Sequence, residues 1–394
     1  MIREITENIY SLRAIDWNVR EFHGYETKSG STYNSYFIKD KKNVLIDSVK
    51  HTFKDTLLNN ISSALETSKL DYIVCNHAEP DHSSAIKDVI KKYPNATLIC
   101  NQRCKDILSL YYNTTDWKFL IVKDGDTINL GENELYFYDT PMVHWPESMI
   151  TYVPNKKLLF SMDILGQHYA SSFIFDYEEK KETLLSEATK YYANIVLPYP
   201  KQVLNALGKI KKLDVEIIAN SHGLIIKKYL PEMLSLYENF ANGINKEKAL
   251  VIYDTMWGST ENIAFSLISG LKTNKDLEIK VCDLKTTHNT IVASEAIDAK
   301  YILVGSPTLN SNILPTVAST LTYLEGLKPL NKTCLCFGSY GWAPAFAKKI
   351  TEYFEALNWN IFSDPISVKY KPTNAFLNDC FNIGKTLSTY NQHQ

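Results

Sequence analysis

Asn76-His77-Ala78-Glu79-Pro80-Asp81-His82 packs four potential metal ligands, His77, Glu79, Asp81 and His82, into six residues directly after the apolar run Tyr72-Ile73-Val74-Cys75. An apolar run, a polar stretch and then a helical pattern from Ser83 to Lys92 read as strand, loop and helix. The donors therefore sit on a loop at the C-terminal end of a strand, and no other part of the chain is so dense in them.

The spacing resembles the H-x-H-x-D-H signature of the metallo-β-lactamase superfamily, with Glu79 where the second histidine stands. A carboxylate adds negative charge and a harder oxygen donor able to bridge, which moves preference from zinc toward iron or manganese. A zinc hydrolase needs a Lewis acid and an activated water. A carboxylate-rich dinuclear site with open positions suits redox chemistry on a small molecule.

Further donors follow other strand-like runs. His144 lies in Pro141-Met142-Val143-His144-Trp145-Pro146, between the runs Leu135 to Asp139 and Met149 to Val153. Asp163 follows Lys157 to Phe160, and His222 follows Val215 to Ala219 in Asn220-Ser221-His222-Gly223. A lone histidine beside a strand is more often a packing residue, and a lone aspartate more often a cap. The ordered set, however, is a strong joint constraint. The donors sort into two ions: His77, Glu79 and His144 on one, Asp81 and His222 on the other, with Asp163 as bridge and His82 as an additional ligand. Tyr191, Tyr192 and Ser221 are candidates for orienting the histidines.

Length and composition set the frame. A chain of 394 residues exceeds what one core usually serves, so two domains are expected. With 45% hydrophobic and 22% charged residues and a formal charge of -2, the chain has ordinary globular composition and no footprint of nucleic-acid binding. Neither an apolar signal core nor a membrane-length apolar run occurs, which makes a cytoplasmic protein the expectation. Seven cysteines without a signal segment argue against a disulfide framework. Cys334 and Cys336 should share one face of a buried strand, and Cys100 and Cys104 straddle a strand-to-helix junction. No C-x-x-C pair of a rubredoxin module is present, so an electron donor would be a separate molecule.

Elsewhere in the first half, Ile5 to Leu12, Thr32 to Asp47, Ala96 to Cys100 and Lys118 to Val122 read as strands. Residues 52–66 and Gln102 to Tyr112 read as helices. Trp17 to Tyr25, which holds His23, is a loop rich in aromatic and charged residues. Ala241 to Lys248 has the character of a linker, which gives domains 1–247 and 248–394.

The second domain opens on the buried-strand run Ala249 to Tyr253. Asp254-Thr255-Met256-Trp257-Gly258-Ser259-Thr260 and a helix to about Leu271 follow. Such a hydroxyl-rich loop at a helix N-terminus offers backbone N–H groups and hydroxyls to a phosphate. Neither G-x-G-x-x-G nor a P-loop lysine is present, so a mononucleotide is preferred over a dinucleotide. Alternating strands and helices (Ile279 to Cys282, 290–299, Tyr301 to Val304, Leu314 to Leu324, Thr333 to Phe337, Pro344 to Leu357, Ile366 to Val368) indicate a doubly wound parallel sheet of five strands. Ser306-Pro307-Thr308-Leu309-Asn310 and Ser339-Tyr340-Gly341-Trp342 follow two of its strands, where backbone and aromatic groups suit the ring of FMN.

As a whole the chain resembles the flavodiiron proteins, the A-type flavoprotein family. The resemblance rests on His23 in its loop, the H-x-E-x-D-H segment, Met142 to Pro146, Asp163, Tyr191 to Ile195, Ser221 to Gly223, Thr255 to Trp257 and Ser306 to Thr308. It implies a diiron centre in a metallo-β-lactamase-like αββα domain and FMN in a flavodoxin-like domain, reducing O2 to water, NO to N2O, or both. It also implies a head-to-tail homodimer, in some members assembled into a tetramer, that sets each FMN beside the partner's irons. Electrons would come from separate rubredoxin or reduced F420, and His82, His23, Tyr191 and Tyr192 would be proton-capable groups near the centre. Rival readings are a metal-dependent hydrolase with an appended flavin domain, and a flavin electron carrier or sensor without catalysis.

Overall fold

Two sheets pack face to face in the first unit, Met1–Glu238. The computed structural model describes residues 2–65 and 69–390; the expected helix 52–66 is seen as Lys54–Leu65, and its end at residue 66 lies outside the described residues. The larger sheet runs in the order Arg3–Thr6, Ile9–Ser11, Tyr36–Ile38, Val44–Ile46, Tyr72–Val74, Thr97–Cys100, Lys118–Ile121. Its first half is antiparallel and its second half parallel.

The two-residue period of a strand explains why both faces are covered. Ile38, Val44, Ile46, Val74 and Ile99 meet Leu135, Phe137, Met149, Phe160 and Ala219 of the second sheet. Their neighbours Phe37, Leu45, Ile73 and Leu98 pack with Leu57 and Ile61 of the helix Lys54–Leu65 and with Ile86 and Val89 of the helix Ile86–Lys92.

The second sheet runs Thr127–Asn129, Glu134–Asp139, Met149–Val153, Leu158–Met162, Ile217–Asn220, antiparallel except for its last pair. Its first strand, absent from the sequence expectation, is a half-solvated edge with only Ile128 partly covered. Ile150, Leu159 and Ile218 are buried on the sheet's other face. The helices Lys181–Tyr191 and Pro200–Ile210, with buried stripes at Leu184, Ala188, Val203 and Leu207, complete an αββα sandwich.

The second unit, Asn239–Gln394, holds a wholly parallel sheet. Its order is Glu278–Asp283, Lys246–Tyr253, Ala299–Gly305, Thr333–Tyr340 and a last position shared by Asn360–Ile361 and Ile366–Lys369. That is the flavodoxin arrangement, whose ligand lies at the carboxyl ends of the strands. Cys334 and Cys336 are buried on the face opposite Leu335 and Phe337. All seven cysteines are buried and free.

Two expectations need correction here. The segment read as a linker already contributes Lys246 to Lys248 to a strand, because Lys246 pairs with Ala299 and Lys248 with Glu278, and Asp298 accepts both lysine ammonium groups at 2.8 Å. A helix at Asn374–Leu387, capped by the Thr373 hydroxyl, was also not anticipated.

That helix crosses Ser259–Leu271 at two glycines. A β-carbon on Gly270 would lie 2.0 Å from the Phe381 carbonyl oxygen, and one on Gly384 would lie 2.2 Å from that of Leu267. Backbone cannot yield as a side chain does. Gly270→Ala is therefore expected to destabilise the second unit by about 1–3 kcal/mol, seen as a fall of several degrees in its melting transition. An unchanged transition would show that the helices separate freely.

No helix among the described residues is long and apolar enough to cross a membrane.

Candidate metal centre and nucleotide cavity

The ligand loop is pinned before it reaches its donors. Asp47, at the end of the neighbouring strand, accepts the Asn76 backbone N–H at 2.7 Å and its side-chain amide at 2.9 Å, while Thr151 donates to the Asn76 amide oxygen at 2.7 Å. Pro80 opens the short helix Pro80–Ser83, whose turn brings Asp81 and His82 inward, both buried. Ser84 and Ala85 interrupt what the sequence suggested as one helix before Ile86–Lys92 begins.

Around this loop the separate donors converge. His77 Nε2 and His144 Nε2 each lie 3.1 Å from Glu79 Oε2, and Asp163 Oδ2 lies 3.1 Å from His144 Nε2 and 3.6 Å from His77 Nε2. The second group faces the other carboxylate oxygen: Asp163 Oδ1 lies 3.2 Å from His82 Nε2 and 3.6 Å from His222 Nε2. Asp81 Oδ2 stands 3.2 Å from His222 Nε2, and Asp81 Oδ1 stands 3.5 Å from His82 Nε2. Ligand atoms held about 2.1 Å from one ion sit about 3.0–3.4 Å from each other, so both groups have the spacing of a coordination shell.

Electrostatics point the same way. Glu79, Asp81 and Asp163 are buried, and their ion pairs among the described residues are with histidines. Both Asp81 oxygens, Asp163 Oδ1 and both His82 nitrogens lack a hydrogen-bond partner. Burial works against charge on His77 and His144, yet the carboxylates around them push each up to about 10. Buried anions of this density require cations. The mixture of imidazole and carboxylate donors fits a pair of iron ions.

The orienting groups differ from those expected. Glu147, fully buried, accepts the His77 Nδ1–H at 2.7 Å and the Ala78 N–H at 3.0 Å, and the Thr32 carbonyl accepts the His222 Nδ1–H at 2.6 Å. Tyr191 lies with its ring centroid 5.1 Å from that of His168 and 6.1 Å from that of His222, whereas Tyr192 packs edge-on against Tyr237 at 4.8 Å. Ser221 takes part through its backbone, donating to Met162 O and accepting from Asn34 N–H.

Residues 17–25 are more ordered than a loop. Glu21–Phe22 and Tyr25–Glu26 pair as a miniature hairpin, with His23 and Gly24 at φ 51° and 78°. Two successive positive φ values are what a type I′ turn demands. The turn sets His23 Nε2 2.7 Å from Glu79 Oε1 while 45% of its side chain remains exposed.

In the second unit a cavity of ≈ 600 Å³ opens at the carboxyl ends of the strands. Of the expected residues, Met256, Trp257, Ser259, Pro307, Thr308, Leu309, Asn310, Ser339, Tyr340, Gly341 and Trp342 line it. Thr255, Gly258 and Thr260 are not part of its lining but shape it. The Thr255 hydroxyl accepts the Gly258 N–H at 3.1 Å, Gly258 adopts φ 83° at the N-terminus of Ser259–Leu271, and the Thr260 and Ser339 hydroxyls meet at 3.1 Å. Asn262, Ser311, Tyr370 and Lys371 also line it and were not foreseen. Trp257 and Trp342 are 93% and 88% exposed, so two large rings flank the opening uncovered. A helix N-terminus at one side and aromatic rings at the mouth suit a phosphorylated flavin.

The fold and sites together define a two-domain protein with a β-lactamase-like metal domain and a flavodoxin domain. Residues 32–223 match the ODP family beta lactamase model and residues 251–384 the flavodoxin model. The chain is 40% identical over 389 residues to the nitric oxide reductase of Moorella thermoacetica, covering 98% of this chain and 97% of that one. It is 35% identical over 390 residues to the rubredoxin-oxygen oxidoreductase of Megalodesulfovibrio gigas, with 98% and 97% covered. The crystal structure of the flavodiiron protein from Giardia intestinalis superposes with a TM-score of 0.96 at 32% identity, covering 98% of this chain and 96% of that one. The chain belongs to the flavodiiron protein family and is an oxidoreductase. Its flavodoxin domain implies FMN and its family a diiron centre, for which the two donor groups are positioned.

Proposed function

We propose that the protein reduces dioxygen to water, nitric oxide to N2O, or both, with electrons delivered by a separate carrier of the rubredoxin type or by reduced F420. The observation that carries the reading is Asp163, whose two oxygens face two separate donor groups and so suit it to join a pair of metals. When bound, FMN would supply storage and transfer of electrons, and a pair of irons the redox chemistry on the gas. The chain's own residues bind, orient and supply protons. Glu79, His77 and His144 would hold one ion, Asp81 and His222 the other with His82 as an additional ligand, and Glu147 and the Thr32 carbonyl fix two of the imidazoles. His23, bonded to Glu79 and half in solvent, carries protons between water and the buried cluster; Tyr191, beside His222, is a second proton-capable group near it, and Tyr192 a more distant one. On the flavin side, Thr255 to Thr260 take the phosphate, and Pro307 to Asn310 with Ser339 to Trp342 hold the ring.

The test is anaerobic reduction of the iron- and FMN-loaded protein with a rubredoxin and its reductase, followed by electrode measurement of O2 and NO consumption at matched concentrations. Fast loss of O2 alone identifies an oxygen reductase, fast loss of NO alone a nitric oxide reductase, and comparable rates a dual enzyme. Consumption of neither gas by loaded protein overturns the proposal.

Because Asp81, Asp163 and His222 still face the second ion's place when the His82 imidazole is lost, His82→Asn is expected to keep its iron but lose about tenfold to a hundredfold in turnover. Full activity in that variant would remove His82 from the mechanism. The reading also includes a head-to-tail homodimer that covers the exposed Trp257 and Trp342; a fully active monomer by light scattering would refute it.

A further inference from the structure

We propose that Lys371 is the residue that sets the electrostatics of the flavin and thereby raises its reduction potential. The inference rests on the flavin reading of the second-unit cavity.

Among the residues that line this cavity, Lys371 is the one that carries a charge; the others are apolar, hydroxyl, amide or glycine. It enters no ion pair among the described residues. Beside the phosphate loop, Asp254 and Lys285 face each other at 3.9 Å, and Glu261, in the first turn of Ser259–Leu271, accepts the Tyr253 hydroxyl at 3.2 Å. Lys371 therefore supplies a positive charge to a cavity whose other lining residues are neutral.

The backbone places Lys371 beside the loop read as holding the ring. Lys371 follows Tyr370, which adopts φ 61°, a left-handed conformation uncommon for an aromatic residue. This turn brings the Tyr370 ring over Gly341, where an added β-carbon would lie 3.4 Å from it. The Tyr370 N–H donates to the Tyr340 carbonyl at 2.7 Å, which sets the chain at Lys371 beside the loop Ser339 to Trp342, whereas Gly258 to Thr260 offer the phosphate backbone N–H groups and hydroxyls.

The chemical consequence follows from charge. Two-electron reduction of a flavin with uptake of one proton leaves its ring system with one more negative charge than before. A fixed cation close to the ring stabilises the reduced form over the oxidised one, so the potential rises. It also eases acceptance of electrons from a donor of modest reducing power.

The experiment uses full-length protein loaded with FMN and iron. The two-electron midpoint potential of the flavin is measured by equilibration with reference dyes in wild type, Lys371→Met and Lys371→Arg, alongside the dissociation constant of oxidised FMN. Lys371→Met is expected to weaken binding of reduced relative to oxidised FMN about tenfold, which is ~30 mV to lower potential for a two-electron couple. Lys371→Arg keeps the charge and should stay near wild type. An unchanged potential with weaker FMN binding would mean that Lys371 serves the phosphate instead, and an unchanged potential with unchanged binding would remove it from the site; either overturns the proposal. Failure of the wild-type protein to take up FMN at all would instead overturn the flavin reading beneath it.

Discussion

Asp163→Asn is expected to remove bound iron from the first unit and to lower gas reduction by about a hundredfold or more, while FMN stays bound. The reason is geometric. Asp163 places Oδ2 against His144 and His77 and Oδ1 against His82 and His222, so among the described residues it is the one side chain that touches both donor groups. An asparagine of the same shape keeps one oxygen but turns the other into an N–H donor, which cannot ligate a cation and carries no charge. Two buried carboxylates, Glu79 and Asp81, would then face two dications, and the electrostatic match that holds the ions is lost. Iron content by elemental analysis, flavin absorbance and gas consumption should be read on the same sample. Retained iron with full activity would show that Asp163 does not bridge, and the dinuclear reading would fall with it.

The parts of this centre that could be read from sequence are those in which chemistry and chain order coincide. His77, Glu79, Asp81 and His82 are contiguous, and Asp163 and His222 each follow an apolar strand, so their type and place are visible in the order of residues alone. Their sorting into two groups was open to counting donors. The orienting groups were not. Glu147 reaches His77 from seventy positions away, and its spacing carries no signal because a glutamate after Trp145-Pro146 has the pattern of an ordinary surface turn. The Thr32 contact to His222 is a backbone carbonyl and leaves no trace in residue type. Tyr191 and Tyr192 looked equivalent in sequence, yet a helix turns neighbours by about 100°, which takes one toward His222 and the other toward Tyr237.

The second unit divides in the same way. Its strands were legible as short apolar runs between glycine and proline signals, and the phosphate loop as hydroxyls before a helix. Asn374–Leu387 carries an apolar stripe, Phe376, Cys380, Ile383 and Leu387, and a Thr373 cap, signals that lie in the sequence beyond Val368. Tyr370 and Lys371 had none, since exposed residues after an edge strand have no distinctive pattern. What marks them is a positive φ and a shared cavity, both properties of the folded chain.

Glu147→Gln is expected to lower the affinity of the first ion by about tenfold to a hundredfold and to leave the fold intact. In the wild type Glu147 is buried, and although burial alone would raise its pKa, the bonds from His77 and from the Ala78 N–H hold its carboxyl below the usual range. The charged carboxylate therefore accepts from His77 Nδ1, fixes the tautomer that leaves Nε2 free for the metal, and increases the basicity of that nitrogen. A glutamine oxygen still accepts from Nδ1 but without the charge, so the histidine stays in place and becomes a weaker ligand. Glu147→Leu goes further, leaving the Nδ1–H and the Ala78 N–H both without an acceptor in a buried site, an added cost of about 1–3 kcal/mol for each group. Competitive chelation separates these effects: the glutamine variant should release one equivalent of iron early while the second, held by Asp81, His82 and His222, is retained more firmly. Simultaneous release of both ions would show instead that the two groups bind as one unit through Asp163, and equal retention to wild type would mean that Glu147 holds the loop and not the metal.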